Sequence, residues 1–189
     1  MEKLSVMNDT LDDISDFKER DMDVLQTIEE DDLTSFTFEG LKRRLRLHPE
    51  TLSRILTRLT EQGIVKKTND GYRLTAKAEP LLKRHSKSHN LRVLQTLLPS
   101  EVSIQNLVSN LKGKWFGVHR WLGYSETENG ITLKWITEDG GAIISAVFSS
   151  GHLNIDAKMI SKNNLDVALN ASHQLMSYIT QLISQMGHN

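Results

Sequence analysis

A chain of 189 residues is long enough for one large domain or two small ones, and 38% apolar with 25% charged residues suits a packed core. The absence of cysteine excludes disulfides, thiolate metal sites and cysteine nucleophiles. No apolar run approaches the roughly 18 residues of a membrane span, and the acidic start is unlike a signal peptide, so a cytoplasmic protein without membrane contact is expected. The net charge of −1 hides a strong asymmetry: residues 1–35 carry a net −9, residues 36–92 a net +9, and residues 93–189 a net −1. A basic block of that density is the footprint of a polyanion-binding surface.

In chain order, residues 1–15 read as an acidic leader, either disordered or a short loose helix. A helix is expected from Asp16, its cap, through Phe17, Met22, Leu25 and Ile28 to about Glu30. The run Glu29-Glu30-Asp31-Asp32 should end it, because the helix dipole disfavours negative charge at a C-terminus. Thr37 caps a short helix with Phe38, Leu41 and Leu45 inward. Leu47-His48-Pro49 breaks it, and Pro49 suits the first position of a second helix, where its missing N–H costs nothing. There Leu52, Ile55, Leu56 and Leu59 form the buried stripe and Gly63 the stop. Two short strands around Asn69-Asp70-Gly71 read as a hairpin. A further helix is expected over about Thr75–Lys87, and the polar run from Ser86 to Asn90 marks a domain boundary.

The second half, 91–189, has a different rhythm. Leu91–Leu98 reads as strand or helix, and about Ser103–Lys112 as a helix. Turn signals at Asn129-Gly130, Asp139-Gly140-Gly141 and Ser149-Ser150-Gly151 separate four strand-like runs: Trp115–Ser125, Ile131–Thr137, Ala142–Phe148 and Leu153–Met159. Asn164–Met186 is a long amphipathic helix with Leu165, Ala168, Leu169, Ser172, Leu175, Met176, Ile179, Leu182, Ile183 and Met186 on one stripe. The expected fold class is α+β: an amino-terminal winged helix-turn-helix over 16–88, then a two-layer domain in which the long helix packs on an antiparallel meander.

The segment Thr37–Val65 carries a Thr51-x-Ser53-Arg54 core with Leu56 and Leu59, then Glu61-Gln62-Gly63-Ile64-Val65 and the basic pair Lys66-Lys67. On these residues the amino-terminal part resembles the winged helix-turn-helix regulators of the MarR, ArsR and Lrp-like superfamily. The resemblance implies sequence-specific binding of double-stranded DNA in transcription regulation, commonly as a homodimer on pseudo-palindromes.

The residues point the same way. With the stripe inward, Thr51, Ser53, Arg54, Thr57 and Arg58 lie on the outer or lateral face of the second helix. Arginine makes a bidentate pair with guanine in the major groove, so Arg54 and then Arg58 are the candidate base readers. Lys42 and Arg43, with Arg44 and Arg46 beside them, are candidates for phosphates, which fix position without reading sequence. Lys66, Lys67 and Arg73 flank the hairpin turn and would meet backbone or minor groove. Two-fold symmetry would set half-sites about one turn, roughly 34–36 Å, apart.

The carboxyl-terminal half is expected to serve dimerisation, a small-molecule effector or a protein partner. Its aromatic group (Trp115, Phe116, Trp121, Tyr124 and Trp135) is read as sheet packing or a partner surface, with His119 and Arg120 as polar anchors. The seven histidines fall in no metal-binding spacing, and no nucleophile elbow or phosphate loop is present. No catalytic residue, metal or cofactor is therefore expected. The competing class is a winged-helix adaptor whose basic face docks an acidic protein, or the chain's own leader.

Overall fold

A computed structural model describes residues 19–82, 90–161 and 165–186. The leader 1–15, the expected cap Asp16, residues 83–87 of the expected helix, most of the expected boundary and Asn164 lie outside the described residues. In chain order the elements are α1 (Glu19–Glu30), β1 (Ser35–Phe36), α2 (Phe38–Leu45), α3 (Pro49–Glu61), β2 (Val65–Thr68), β3 (Gly71–Leu74), a 3₁₀ turn (Ala76–Ala78), β4 (Leu91–Leu97), α4 (Ile104–Leu111), β5 (His119–Thr127), β6 (Gly130–Thr137), β7 (Ala142–Ser149), β8 (His152–Met159) and α5 (Leu165–Met186).

The local signals act as expected in the first half. The Thr37 side chain accepts from the Gly40 N–H, and Pro49 opens α3. Gly63, at φ +72°, ends α3. Its N–H donates to the Thr60 carbonyl and that of Ile64 to the Leu59 carbonyl, the paired bonds of a Schellman stop. The expected helix over Thr75–Lys87 is corrected: its described part holds only the 3₁₀ turn Ala76–Ala78 and turns through Leu82. Pro80 supplies no N–H for an α-helical bond to the Ala76 carbonyl, so a regular helix cannot run through it.

All eight strands form one antiparallel sheet in the order β2-β3-β1-β5-β6-β7-β8-β4. The expected meander is β5–β8, and Leu91–Leu97 is a strand that pairs with β8 at the far edge. The first meander strand begins at His119 rather than Trp115. The two-residue strand β1, too short to read from sequence, lies between β3 and β5 and joins the two halves. Around it, Thr34 donates to the Tyr124 carbonyl at 3.1 Å and Thr37 to that of Leu122 at 2.9 Å.

Helices cover both faces of the sheet, where two layers were expected for the second half. Leu122, Ile136 and Ile143 pack with α1, α2 and α3 around Leu25, Ile28, Leu41, Leu52 and Leu59. Their chain neighbours Trp121, Trp135 and Ile144 face the other way, onto α4 and α5. Consecutive apolar residues in a strand are the mark of burial on both sides. In α5 the fully buried positions are Ala168, Ala171, Ser172, Leu175 and Ile179, while Leu165, placed on the expected stripe, is exposed.

At the seam between the halves, glycine is required by space. A Cβ on Gly123 would fall 2.1 Å from the Ser35 carbonyl oxygen and 2.8 Å from the Phe36 Cα. Backbone atoms cannot yield as side chains do. Gly123→Ala is therefore expected to cost about 1–3 kcal/mol, the range for overpacking, measured by chemical unfolding. A stability within about 0.5 kcal/mol of the parent, as at an ordinary surface site, would mean β1 does not sit against β5.

A candidate nucleic-acid interface

The outer face of α3 begins where α2 stops. Arg46, at φ +53°, takes the left-handed position after α2, and Leu47 and His48 lead into Pro49. The buried stripe Leu52, Ile55, Leu56 and Leu59 anchors α3, leaving Glu50, Ser53, Arg54 and Thr57 exposed and Thr51 half-exposed. The Arg54 side chain is 72% exposed, and its guanidinium meets the equally open Glu50 one turn earlier. Such an exposed pair contributes at most a few tenths of a kcal/mol. It holds Arg54 along the helix yet exchanges readily for another acceptor. Thr57 donates its hydroxyl to the Ser53 carbonyl at 2.9 Å.

Arg58 has a different role from Arg54. Its Nε and a terminal nitrogen both donate to Asp21 of α1, a carboxylate with no exposed side-chain surface. The hydrogen bond to Asp21 raises the Arg58 pKa further, and the ion pair clamps α1 onto α3. Arg54 thus remains the solvent-exposed guanidinium of the expected pair, held only by the exposed Glu50, and Arg58 becomes a positioning residue. A cleft of about 360 Å³ opens between the start of α1 and α3, lined by Glu19, Arg20, Glu50, Thr51, Arg54, Ile55 and Arg58.

The basic residues of α2 divide similarly. Lys42 pairs with Glu39 on its own helix. Arg43 lies 5.8 Å from the centre of the exposed Trp115 ring, which Arg120 approaches at 5.4 Å. Arg44 turns inward onto Asp31, which removes it from the phosphate candidates. In the hairpin, Lys66 and Lys67 stand exposed on β2. Arg73 on β3 donates to the Tyr124 hydroxyl at 3.1 Å and lies 3.8 Å from Glu126. Lys112 sits 4.0 Å above the same Tyr124 ring. Trp115, Lys112 and Arg120 therefore border the basic surface, a juxtaposition across the two halves that periodicity within either half does not show.

The acidic run that ends α1 is structural. Asp31, with no exposed side-chain surface, accepts two hydrogen bonds from Arg44 and one from Lys158 on β8. Lys134 on β6, 5% exposed, donates to the carbonyls of Asp31 and Asp32 and to the Asp32 carboxylate. Lys158 also donates to the Glu30 carbonyl at 2.9 Å. Two ammonium groups from the sheet thus satisfy the unpaired carbonyls at the helix C-terminus and offset its carboxylates. Burial pushes the Lys134 pKa down, and Asp32 opposes that shift.

Among the described residues no group of histidine, aspartate and glutamate is arranged to hold a metal, and no helix is long and apolar enough to cross a membrane. No family model, curated protein or solved structure matches this chain.

Proposed function

We propose that this chain is a sequence-specific double-stranded DNA-binding transcription regulator, with residues 16–88 acting as a winged helix-turn-helix. The order α1-β1-α2-α3-β2-β3 supports that reading: α3 is the recognition helix and the β2–β3 hairpin the wing. The observation that carries it is the outer face of α3, where Arg54 is open to solvent among Thr51, Ser53 and Thr57. A helix of this kind fits the major groove, and an exposed guanidinium that releases its surface partner can grip the O6 and N7 of one guanine. Lys66 and Lys67 on the wing and Lys42 on α2 supply sequence-independent phosphate contacts.

The test begins with selection of bound duplexes from random or genomic DNA. On the selected site, Arg54→Ala is expected to cost about 1–3 kcal/mol of binding and to relax preference at one base pair. Lys42→Ala should weaken all duplexes alike. The logarithm of affinity should fall linearly with the logarithm of salt concentration. Unchanged affinity and preference in the Arg54 variant would remove α3 from base reading. No selection of any duplex would turn the reading toward a protein-docking module.

A further inference from the structure

The two edges of the eight-stranded sheet are built differently. At one edge, β2 reads Val65-Lys66-Lys67-Thr68, with both lysines exposed. Lysine on an edge strand is a common guard against unwanted strand pairing. At the other edge, β4 is seven residues long and reads LRVLQTL. Its one charged residue, Arg92, is already engaged by Asp156 of β8 at 3.1 Å. It carries no proline or lysine, and its single irregularity lies between Arg92 and Leu94.

Apolar surface is exposed on this edge, at Leu91 and Leu97 of β4 itself. Among the described residues six large hydrophobic side chains are exposed, and five of them lie on β4, at the end of its partner strand or at the start of α5. Leu91 and Leu97 lie on β4, Met159 ends β8, and Leu165 and Val167 open α5. The backbone is equally available. The Leu98 N–H donates inward to the Gly151 carbonyl at 2.8 Å. Alternation along the strand then turns the N–H and C=O groups of Gln95 and Leu97 outward, where no described strand meets them.

We propose that β4 is the homodimer interface: two copies of this chain pair β4 against β4 in antiparallel fashion, joining their sheets across a two-fold axis. A second copy fits this edge better than an unrelated strand. Antiparallel self-pairing is closed and isologous. Neutralised Arg92 leaves no net charge on the strand for its copy to repel, and the exposed leucines of each copy gain cover. Pairing β4 with β2 of another copy would instead run on without closing, and Lys66 and Lys67 oppose it. The proposal stands independently of DNA binding, and its test uses none.

The full-length chain is studied by light scattering after size exclusion and by sedimentation, over a range of concentrations. The mass is expected to be twice the chain's 21.5 kDa. Gln95→Pro removes one outward N–H and none from the ladder to β8, and proline is tolerated on edge strands. It should halve the mass while far-ultraviolet circular dichroism stays unchanged. If Gln95→Pro fails to fold, Leu97→Lys, which adds a charge at the edge, takes its place with the same expected twofold loss of mass. A monomeric parent chain, a folded edge variant that remains dimeric, or open-ended larger assemblies would each overturn the assignment.

Discussion

Asp31→Ala is expected to cost about 3–5 kcal/mol, the range for removing one partner of a buried ion pair. That is a large share of the roughly 5–15 kcal/mol that commonly separates a folded domain from its unfolded chain. The reason is the number of groups that depend on this carboxylate. It accepts both nitrogens of Arg44 from α2 and the ammonium of Lys158 from β8, and all three groups are largely screened from water. Removing it leaves two half-buried cations facing each other without a counter-charge. Asp31→Asn keeps the size and removes the charge, so most of the loss should persist in that variant. Urea unfolding of the parent and both variants measures this. A loss below about 1 kcal/mol, the scale of an exposed pair, would show that α1 is not tied to the sheet through Asp31.

The second large effect is a loss of stability in acid that traces to His119. The side chain is fully buried and stacks on Phe116 with ring centres 4.6 Å apart, and Phe116 in turn stacks on Tyr178 of α5 at 4.3 Å. Its nitrogens lie near the Phe116 and Ala171 backbone, but neither completes a hydrogen bond among the described residues. Burial is the main cause that lowers its pKa from the usual 6.5 to about 4. The folded protein therefore holds a neutral imidazole, whereas the unfolded chain takes up a proton as pH falls through 6.5. Stability from this group is complete above pH 6.5, declines between 6.5 and 4, and levels off below 4. The difference corresponds to about 3 kcal/mol at roughly 1.36 kcal/mol per pKa unit. His119→Phe, which keeps an aromatic ring in the stack, should flatten that part of the stability–pH curve. Superimposable curves for the two proteins would assign the acid sensitivity to the carboxylates instead.

Much of the amino-terminal half could be read because its instructions are local. Thr37, Pro49, Gly63 and Asn69-Asp70-Gly71 each act within a few residues of themselves, and a cap or turn needs no distant partner. The stripe of α3 was legible for the same reason, and with it the candidate surface around Arg54. What could not be read depends on residues far apart in the chain. Nothing near Asp31 announces Lys134 or Lys158, which lie more than a hundred positions away, and the acidic run reads only as the end of a helix. Arg54 and Arg58 are chemically alike and one turn apart; the burial of Asp21, on another helix, separates a clamped guanidinium from one held only by an exposed carboxylate. β1 is two residues long and has no period to detect. The double coverage of the sheet was present in the sequence as adjacent apolar pairs such as Trp121-Leu122 and Ile143-Ile144, though the regular alternation in β8 suggested a single buried face.

The unbroken sheet also fixes a length. Seven strand-to-strand steps separate the lysine-bearing edge from β4, and at about 4.8 Å per step they make a ruler rather than a tether. Were two copies joined along β4, about fifteen such steps would part their outermost β2 strands, at most about 70 Å if the sheet ran flat. That ceiling is about two turns of a duplex, each roughly 34–36 Å. If residues 16–88 also bind DNA as proposed, the spacing of the two half-sites would be set by hydrogen-bonded backbone in the protein, leaving little play for inserted or deleted base pairs.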